Sequence, residues 1–304
     1  LIGGLFSCSD YLDIVPDKIA TLENAFANKN ETEKYLMTCY SYIPAHHEHT
    51  GNVGLMGADE LWAYYPGSEF DPWMIARGQQ NTNNPYMNYW EGYRGGKALY
   101  KALRDCNIFL ENVEDTNKVP DLTSTMRQRW IGEVKFLKAY YHFLLFRMYG
   151  PIVIVDKNIA IDAPPLEMQK KRSSVDEVVD YIAGLLDEAY EYLPQEVTNK
   201  TEELGRITKP IALTLKAKLL VTAASPLFNG NPDYTDFTDK EGAHLFNAEY
   251  DQNKWVKAAE ACHDAIESCK LNNIQLYTFH TNDRLSDTTK IQMSIRNSIG
   301  EKWN

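Results

Sequence analysis

Apolar residues recur every three or four positions in five long segments of the sequence, and this spacing limits the possible folds most strongly. Residues spaced in this way lie on one face of an α-helix, and the alternation typical of strands is nearly absent. The pattern predicts an all-α protein. The five stripes are Leu99, Leu103, Cys106, Leu110 and Val113; Trp130, Val134, Leu137, Tyr141, Leu144 and Met148; Val178, Ile182, Leu185, Ala189 and Tyr192; Ile211, Leu215 and Leu219; and Trp255, Ala258, Cys262, Ala265 and Cys269.

Local signals mark the ends of two of these helices. Ser174 and Glu177 can cap each other's backbone amides at the start of the third helix, which stops before Pro194. The fourth helix begins near Thr208 and tolerates Pro210 in its first turn. Amphipathic helix pairs with small contact residues predict a tetratricopeptide-like helical-repeat stack with long, partly irregular loops. The match to that repeat's consensus is poor, so the prediction rests on periodicity.

The segment 139–146 is apolar on nearly every side, so its helix must be covered by several neighbours. Lys135, Lys138 and Arg147 bracket an apolar window that is far shorter than the about 20 residues a membrane-spanning helix needs. We therefore expect a buried helix here. His142 lies inside this run, and we interpret it as a hydrogen-bonded core histidine and not as a ligand.

The first eight residues have the pattern of the end of an export signal. A short apolar run leads to Ser7, a small residue directly before Cys8, and the polar residues Ser9 and Asp10 follow. This arrangement is typical of a lipobox, which predicts that Cys8 becomes a lipidated N-terminus. The apolar run is too short to span a bilayer. The alternative is an ordinary N-terminus in which Cys8 has no special role.

Charge and cysteine content exclude several classes of function. With 42 acidic and 31 basic side chains the chain carries a formal net charge of −11, which argues against binding to nucleic acid. Outside the lipobox, the cysteines occupy apolar helical positions and form no CxxC pair. We interpret them as small core hydrophobes, and we predict no disulfide, metal or cofactor. These cysteines are Cys39, Cys106, Cys262 and Cys269.

Residues 62–93, here called the aromatic segment, are the strongest candidate for a ligand site. They hold nine aromatic side chains in 32 residues, with prolines and glycines that interrupt any helix. Six Asn or Gln lie among the ten residues 79–88. Flat rings can stack on the C–H face of a sugar, and amides and carboxylates can pair with its hydroxyls. The predicted ligand-binding residues are Trp62, Asp71, Trp73, Asn81, Asn83 and Tyr86.

The same aromatic rings can instead fasten a long loop to the helices. We prefer this packing interpretation for Trp90 and Tyr93, which stand just before a helical stripe. For Trp62 and Trp73 both interpretations stay open at this point. The aromatic segment is therefore a candidate site whose individual rings need a structure to assign.

Two further groups carry metal-binding or acid–base chemistry. His46, His47 and His49 surround Glu48, but adjacent residues rarely face one metal ion, so we predict no metal site. The carboxylates of residues 59 and 60 can in principle act as a glycosidase pair, but the sequence fixes no separation between two carboxyl groups. It also contains no nucleophile elbow, phosphate loop or HExxH motif. The sequence therefore predicts no enzyme.

Six segments together resemble a known family, in the same order along the chain. They are CSDYLD (8–13), CNIFLENV (106–113), GEVKFLKAYYHFL (132–144), RSSVDE (172–177), GRITK (205–209) and AASPLFNG (223–230). Each segment alone is weak evidence for a family, but the six together are specific. The chain resembles the SusD/RagB family of outer-membrane nutrient-binding lipoproteins.

The resemblance implies a helical fold, a lipid anchor at Cys8 and exposure on a Bacteroidetes-type outer membrane. It also implies a SusC-type TonB-dependent transporter as partner, to which the chain delivers an oligosaccharide. We expect residues 1–12 to be a signal remnant and anchor segment, and residues 13–304 to form a SusD-like helical domain that is incomplete at its C-terminus. The alternatives are a peptide-binding member of the family and a helical-repeat scaffold for protein partners.

Overall fold

The computed structural model describes residues 22–59, 61, 70–281 and 283–300. Short 3₁₀ turns cover His49–Gly51 and Pro232–Tyr234. The α-helices are α1 (Leu22–Ala25), α2 (Lys29–Ser41), α3 (Val53–Met56), α4 (Asp71–Ala76), α5 (Leu99–Val113), α6 (Ser124–Tyr149), α7 (Pro165–Met168), α8 (Val175–Tyr192), α9 (Lys200–Glu203), α10 (Lys209–Ala224), α11 (Gln252–Leu271) and α12 (Asp287–Gly300).

The long helices pack against one another in the order in which they occur in the sequence. Helix α6, with 26 residues, lies between α5 and α8, and α10 lies between α8 and α11. Helix α2 packs on α5. Within the described ranges the backbone forms isolated bridges but no strands. The predicted all-α, tetratricopeptide-like architecture is confirmed.

The predicted caps are present. The Ser174 hydroxyl accepts a hydrogen bond from the backbone amide of Glu177, whose carboxylate accepts one from the backbone amide of Ser174. Pro210 lies in the first turn of α10, where its missing N–H costs no helical hydrogen bond. None of the helices in the described ranges combines the length and apolarity needed to cross a membrane.

The core follows the predicted stripes. Every stripe residue of α5 is buried, as are Leu137, Tyr141 and Leu144 of α6 and Leu215 of α10. Cys39 and Cys106 are fully buried free thiols, which confirms their interpretation as core residues. Cys262 and Cys269 are also free, but they are only half-buried on α11.

Three predicted core positions are wrong. Tyr192, Ile211 and Trp255 are exposed by 41%, 42% and 39%. Each lies in the first or last turn of its helix. Apolar spacing identifies the apolar face of a helix, but it does not show which residues at the ends of that face are buried.

His142 is the core histidine that the sequence predicted. Its side chain is fully buried, and its Nε2 accepts a hydrogen bond from the backbone amide of Val155 at 3.1 Å. Because Nε2 is the acceptor, the proton resides on Nδ1, which donates to the carbonyl oxygen of Lys138 at 2.8 Å. Burial lowers the pKa of His142 from 6.5 to about 4.

This histidine should make the folded state sensitive to acid. The unfolded chain binds a proton at His142 below pH 6.5, but the folded chain does not until about pH 4. The neutral, buried His142 therefore contributes to the free energy of unfolding above pH 6.5. This contribution, on the order of 3 kcal/mol, is lost as the pH falls toward 4. Urea unfolding across this window should show a steeper loss of stability for the parent than for His142→Gln. Equal slopes would contradict this account.

Candidate ligand-binding site

The loop between α4 and α5 is organised by Asn88, whose side chain is nearly fully buried. Its Oδ1 accepts hydrogen bonds from the backbone amides of Trp90 (3.0 Å) and Glu91 (3.1 Å). Its backbone pairs with Tyr93 in an isolated antiparallel bridge. A Cβ on Gly96 would stand 2.2 Å from the carbonyl oxygen of Asn88, so this close approach requires glycine. The loop therefore has a defined shape.

The aromatic rings of this loop have different roles. The ring of Trp90 lies 4.5 Å from that of Tyr100 and 5.7 Å from that of Tyr149, which confirms that it fastens the loop to the helices. The same prediction for Tyr93 is wrong, because 62% of its surface is exposed. Backbone hydrogen bonds to Asn88 at 3.0 and 3.2 Å hold Tyr93 in place, so its ring is not needed for packing.

Two arginine side chains lie over the predicted ligand-binding rings. The Arg94 guanidinium is 4.0 Å from the ring centroid of Tyr86, and its Nη2 is 3.4 Å from Oδ1 of Asp71. The Arg77 guanidinium is 4.3 Å from the ring centroid of Trp73. Arg94 therefore joins Asp71 to Tyr86, while Trp73 follows Asp71 by two positions on α4. Both rings are half-buried.

Neither arginine is among the ligand-binding residues predicted from the sequence. Arg77 follows Trp73 by four positions, a spacing that brings side chains together on a helix, and this signal was available. No comparable spacing predicts the contact between Arg94 and Tyr86, because the folding of the loop creates it.

The amide side chains of the loop divide between structural and free groups. Gln80 binds the backbone of Tyr86 through Oε1 (2.8 Å) and Nε2 (2.9 Å). The Oδ1 of Asn81 accepts a hydrogen bond from the backbone amide of Asn84 at 2.8 Å and so closes a turn. Asn83 is exposed, and its side chain makes no hydrogen bond within the described ranges. Of the two predicted asparagines, Asn83 is therefore the freer to pair with a ligand.

A cleft of about 400 Å³ opens beside the loop. Asp71, Met87 and Tyr89 line it together with Glu48 and Lys97. The volume falls in the range of roughly 300 to 1,000 Å³ that is usual for small-molecule sites. The cleft offers an aromatic ring, two carboxylates and an ammonium group, which suit a ligand rich in hydroxyl groups.

Three of the positions singled out in the sequence lie outside the described residues, and the described part of the histidine-rich segment around Glu48 forms no metal site. The three positions are Trp62, Glu60 and Cys8, so their roles stay predictions. The exposed side chains of His47 and Glu48 approach to 4.0 Å. In the described part of the chain, no cluster of three or more His, Cys, Asp or Glu side chains could hold a metal ion.

A family comparison decides how this site is to be interpreted. Residues 10–220 match the SusD-like family model described as "Starch-binding associating with outer membrane". The match covers more than half of the 304 residues. The chain belongs to the SusD-like family. The resemblance seen in the six sequence segments is thereby confirmed.

Solved SusD-like structures have the same fold. BT4246 is 29% identical to this SusD-like chain, with a TM-score of 0.75 over 90% of this chain and 48% of that one. The carbohydrate-binding protein BF0978 from Bacteroides fragilis NCTC 9343 is 20% identical (TM-score 0.56, 80% and 41% covered). A laminarin-binding SusD-like protein is 19% identical (TM-score 0.52, 73% and 47% covered). The chain spans less than half the length of each. A search of curated proteins gives no match.

Proposed function

We propose that this SusD-like chain is a surface-exposed glycan-binding lipoprotein that delivers oligosaccharides to a SusC-type TonB-dependent transporter for nutrient uptake. The observation that carries the proposal is a pair of half-buried rings, Trp73 on α4 and Tyr86 in the loop after it, close along the chain to Asp71 and Met87, which line a cleft of about 400 Å³. The family description and the carbohydrate-binding names of two similar structures support it.

The loop has the two kinds of groups that a saccharide needs. Its rings offer apolar faces for sugar C–H groups, and the arginines that lie over them hold the rings in place. The guanidinium N–H groups of Arg77 and the amide of Asn83 can bond to sugar hydroxyls. Asp71 is paired with Arg94, which suits a positioning role. We infer binding without catalysis, as in other SusD-like proteins.

A glycan array tests this function. We expect the protein to bind one class of oligosaccharide on the array, with a parallel peptide library giving no signal. Binding to peptides alone would favour the peptide-binding alternative. Binding to neither would contradict a nutrient-binding role for this chain.

We also propose that Cys8 carries the lipid anchor, on the evidence of the lipobox alone. Mass spectrometry of membrane-extracted protein should show a diacylglyceryl-modified Cys8, and Cys8→Ala should release the protein from membranes without loss of fold. An unmodified peptide that runs through Cys8 would contradict the anchor. The extracted parent should co-purify with a SusC-type transporter, and recovery without one would contradict the partnership.

A further inference from the structure

A second cavity, of about 460 Å³, lies next to the cleft beside the loop, and Tyr89 lines both. We call it the basic pocket and define it by His46, Arg147, Lys218, Tyr89 and Tyr140. Three of the thirteen lining residues are basic, and none of the Asp or Glu residues that the structure describes lines the pocket. In a chain with 42 acidic and 31 basic side chains, this is the reverse of the overall balance.

Three separate elements bring the basic groups together. His46 lies in the loop after α2, and its carbonyl oxygen accepts a hydrogen bond from Nδ2 of Asn52 at 2.9 Å. Arg147 is near the end of α6, with its guanidinium 5.6 Å from the ring centroid of Phe143. Lys218 is on α10. Neither Arg147 nor Lys218 pairs with a carboxylate in the described ranges.

The positive charges in the basic pocket oppose one another. Arg147 and Lys218 are both exposed in part, and partial desolvation lowers the pKa of Lys218, as does the charge of Arg147. Burial also lowers the pKa of His46, followed by the charges of Arg147 and Lys218. A bound anion would remove this repulsion, because it would supply the negative charge that the protein does not place there.

The phenols of Tyr89 and Tyr140 add two hydrogen-bond donors to the basic pocket. Tyr89 is only 4% exposed, yet its phenol makes no hydrogen bond within the described ranges. The phenol of Tyr140 also has no partner there. Neither phenol oxygen is closed off from the pocket, so both hydroxyl groups are available to a ligand. Burial raises the pKa of both phenols, so both stay protonated and can donate to an anion.

We propose that the basic pocket binds the acidic group of an anionic saccharide, a carboxylate or a sulfate, whose neighbouring sugar units occupy the adjoining cleft. The shared wall at Tyr89 places the two cavities side by side, and the rings of Tyr140 and Phe143 supply apolar surface for a sugar. This inference rests on the proposed glycan binding and specifies the class of glycan.

Calorimetric titration with glucuronate, glucose 6-sulfate, glucose and inorganic sulfate tests the proposal. The parent should bind at least one acidic sugar about tenfold more tightly than glucose. Arg147→Gln/Lys218→Gln should remove that advantage and leave glucose binding unchanged. The control Lys170→Gln/Lys240→Gln removes the same charge from exposed lysines outside the pocket and should bind like the parent.

A milder variant tests the hydroxyl group alone. Tyr89→Phe keeps the buried ring and should weaken binding of the acidic sugar several-fold. The proposal is overturned if acidic sugars bind no more tightly than glucose, if Arg147→Gln/Lys218→Gln binds like the parent, or if inorganic sulfate binds as tightly as both acidic sugars. If the protein binds neutral glycans on the array and an acidic group does not increase the affinity, this inference is rejected but the proposed function is not. If the protein binds no glycan on the array, the proposed function is rejected.

Discussion

Replacing Glu133 with alanine should destabilise the folded protein by about 3 to 5 kcal/mol, because it removes the buried partner of Arg206 and leaves that arginine only its 3.2 Å contact with the partly exposed Glu33. Glu133 is fully buried on α6. Its carboxylate accepts hydrogen bonds from Arg206 (2.9 Å to Nη2), Arg129 (3.0 Å to Nε) and the Tyr40 hydroxyl (2.9 Å). Arg206 is itself nearly buried, so its guanidinium has little access to water once Glu133 is gone.

Urea unfolding of Glu133→Ala and Glu188→Ala gives the measurement and its control. Glu188 also forms an ion pair on the helix stack, at 2.6 Å from Lys135, but its side chain is 57% exposed. Such a surface pair contributes only about 0 to 1 kcal/mol. If the two variants lose the same stability, the buried pair does not stabilise the fold in the way the geometry indicates.

Leu137→Ala should cost about 2 to 5 kcal/mol through lost burial and the cavity that remains. Leu137 has no exposed surface and lies in the main core, on a helix that packs against both α5 and α8. Leu166→Ala is the matched control, because Leu166 is 83% exposed on the short helix α7 and should change stability by less than about 0.5 kcal/mol. Similar thermal unfolding of the two variants would contradict the placement of the core.

The helices were predictable because their signals are local. Apolar spacing, the Ser174–Glu177 cap and the proline of α10 each act within a few residues. The charge pair between Glu133 and Arg206 was not predictable, since 73 residues separate the two and only the packed helices bring them together. Their sequence segments matched the family pattern without revealing that they touch.

The candidate site was predictable in composition but not in geometry. An excess of aromatic and amide residues indicated a ligand loop, and the structure places Trp73 on the short helix α4 and Tyr86 on the loop that follows it. Which rings pack and which are exposed depends on backbone hydrogen bonds, as the exposed ring of Tyr93 shows. The spacing of Arg77 from Trp73 indicates their contact, but the contact of Arg94 with Tyr86 depends on the folded loop, and the bases of the second cavity come from three separate elements.

The central claim is that the aromatic segment binds a glycan through Trp73. Calorimetric titration of Trp73→Ala with the strongest glycan from the array tests it most directly, and loss of a good stacking platform should weaken binding about tenfold or more. Trp255→Ala is the control, because this indole is 39% exposed on α11 and lies away from the loop. We expect parent-like affinity for the control and weak binding for Trp73→Ala. Parent-like binding by a normally folded Trp73→Ala would contradict the claim and make this ring a packing element.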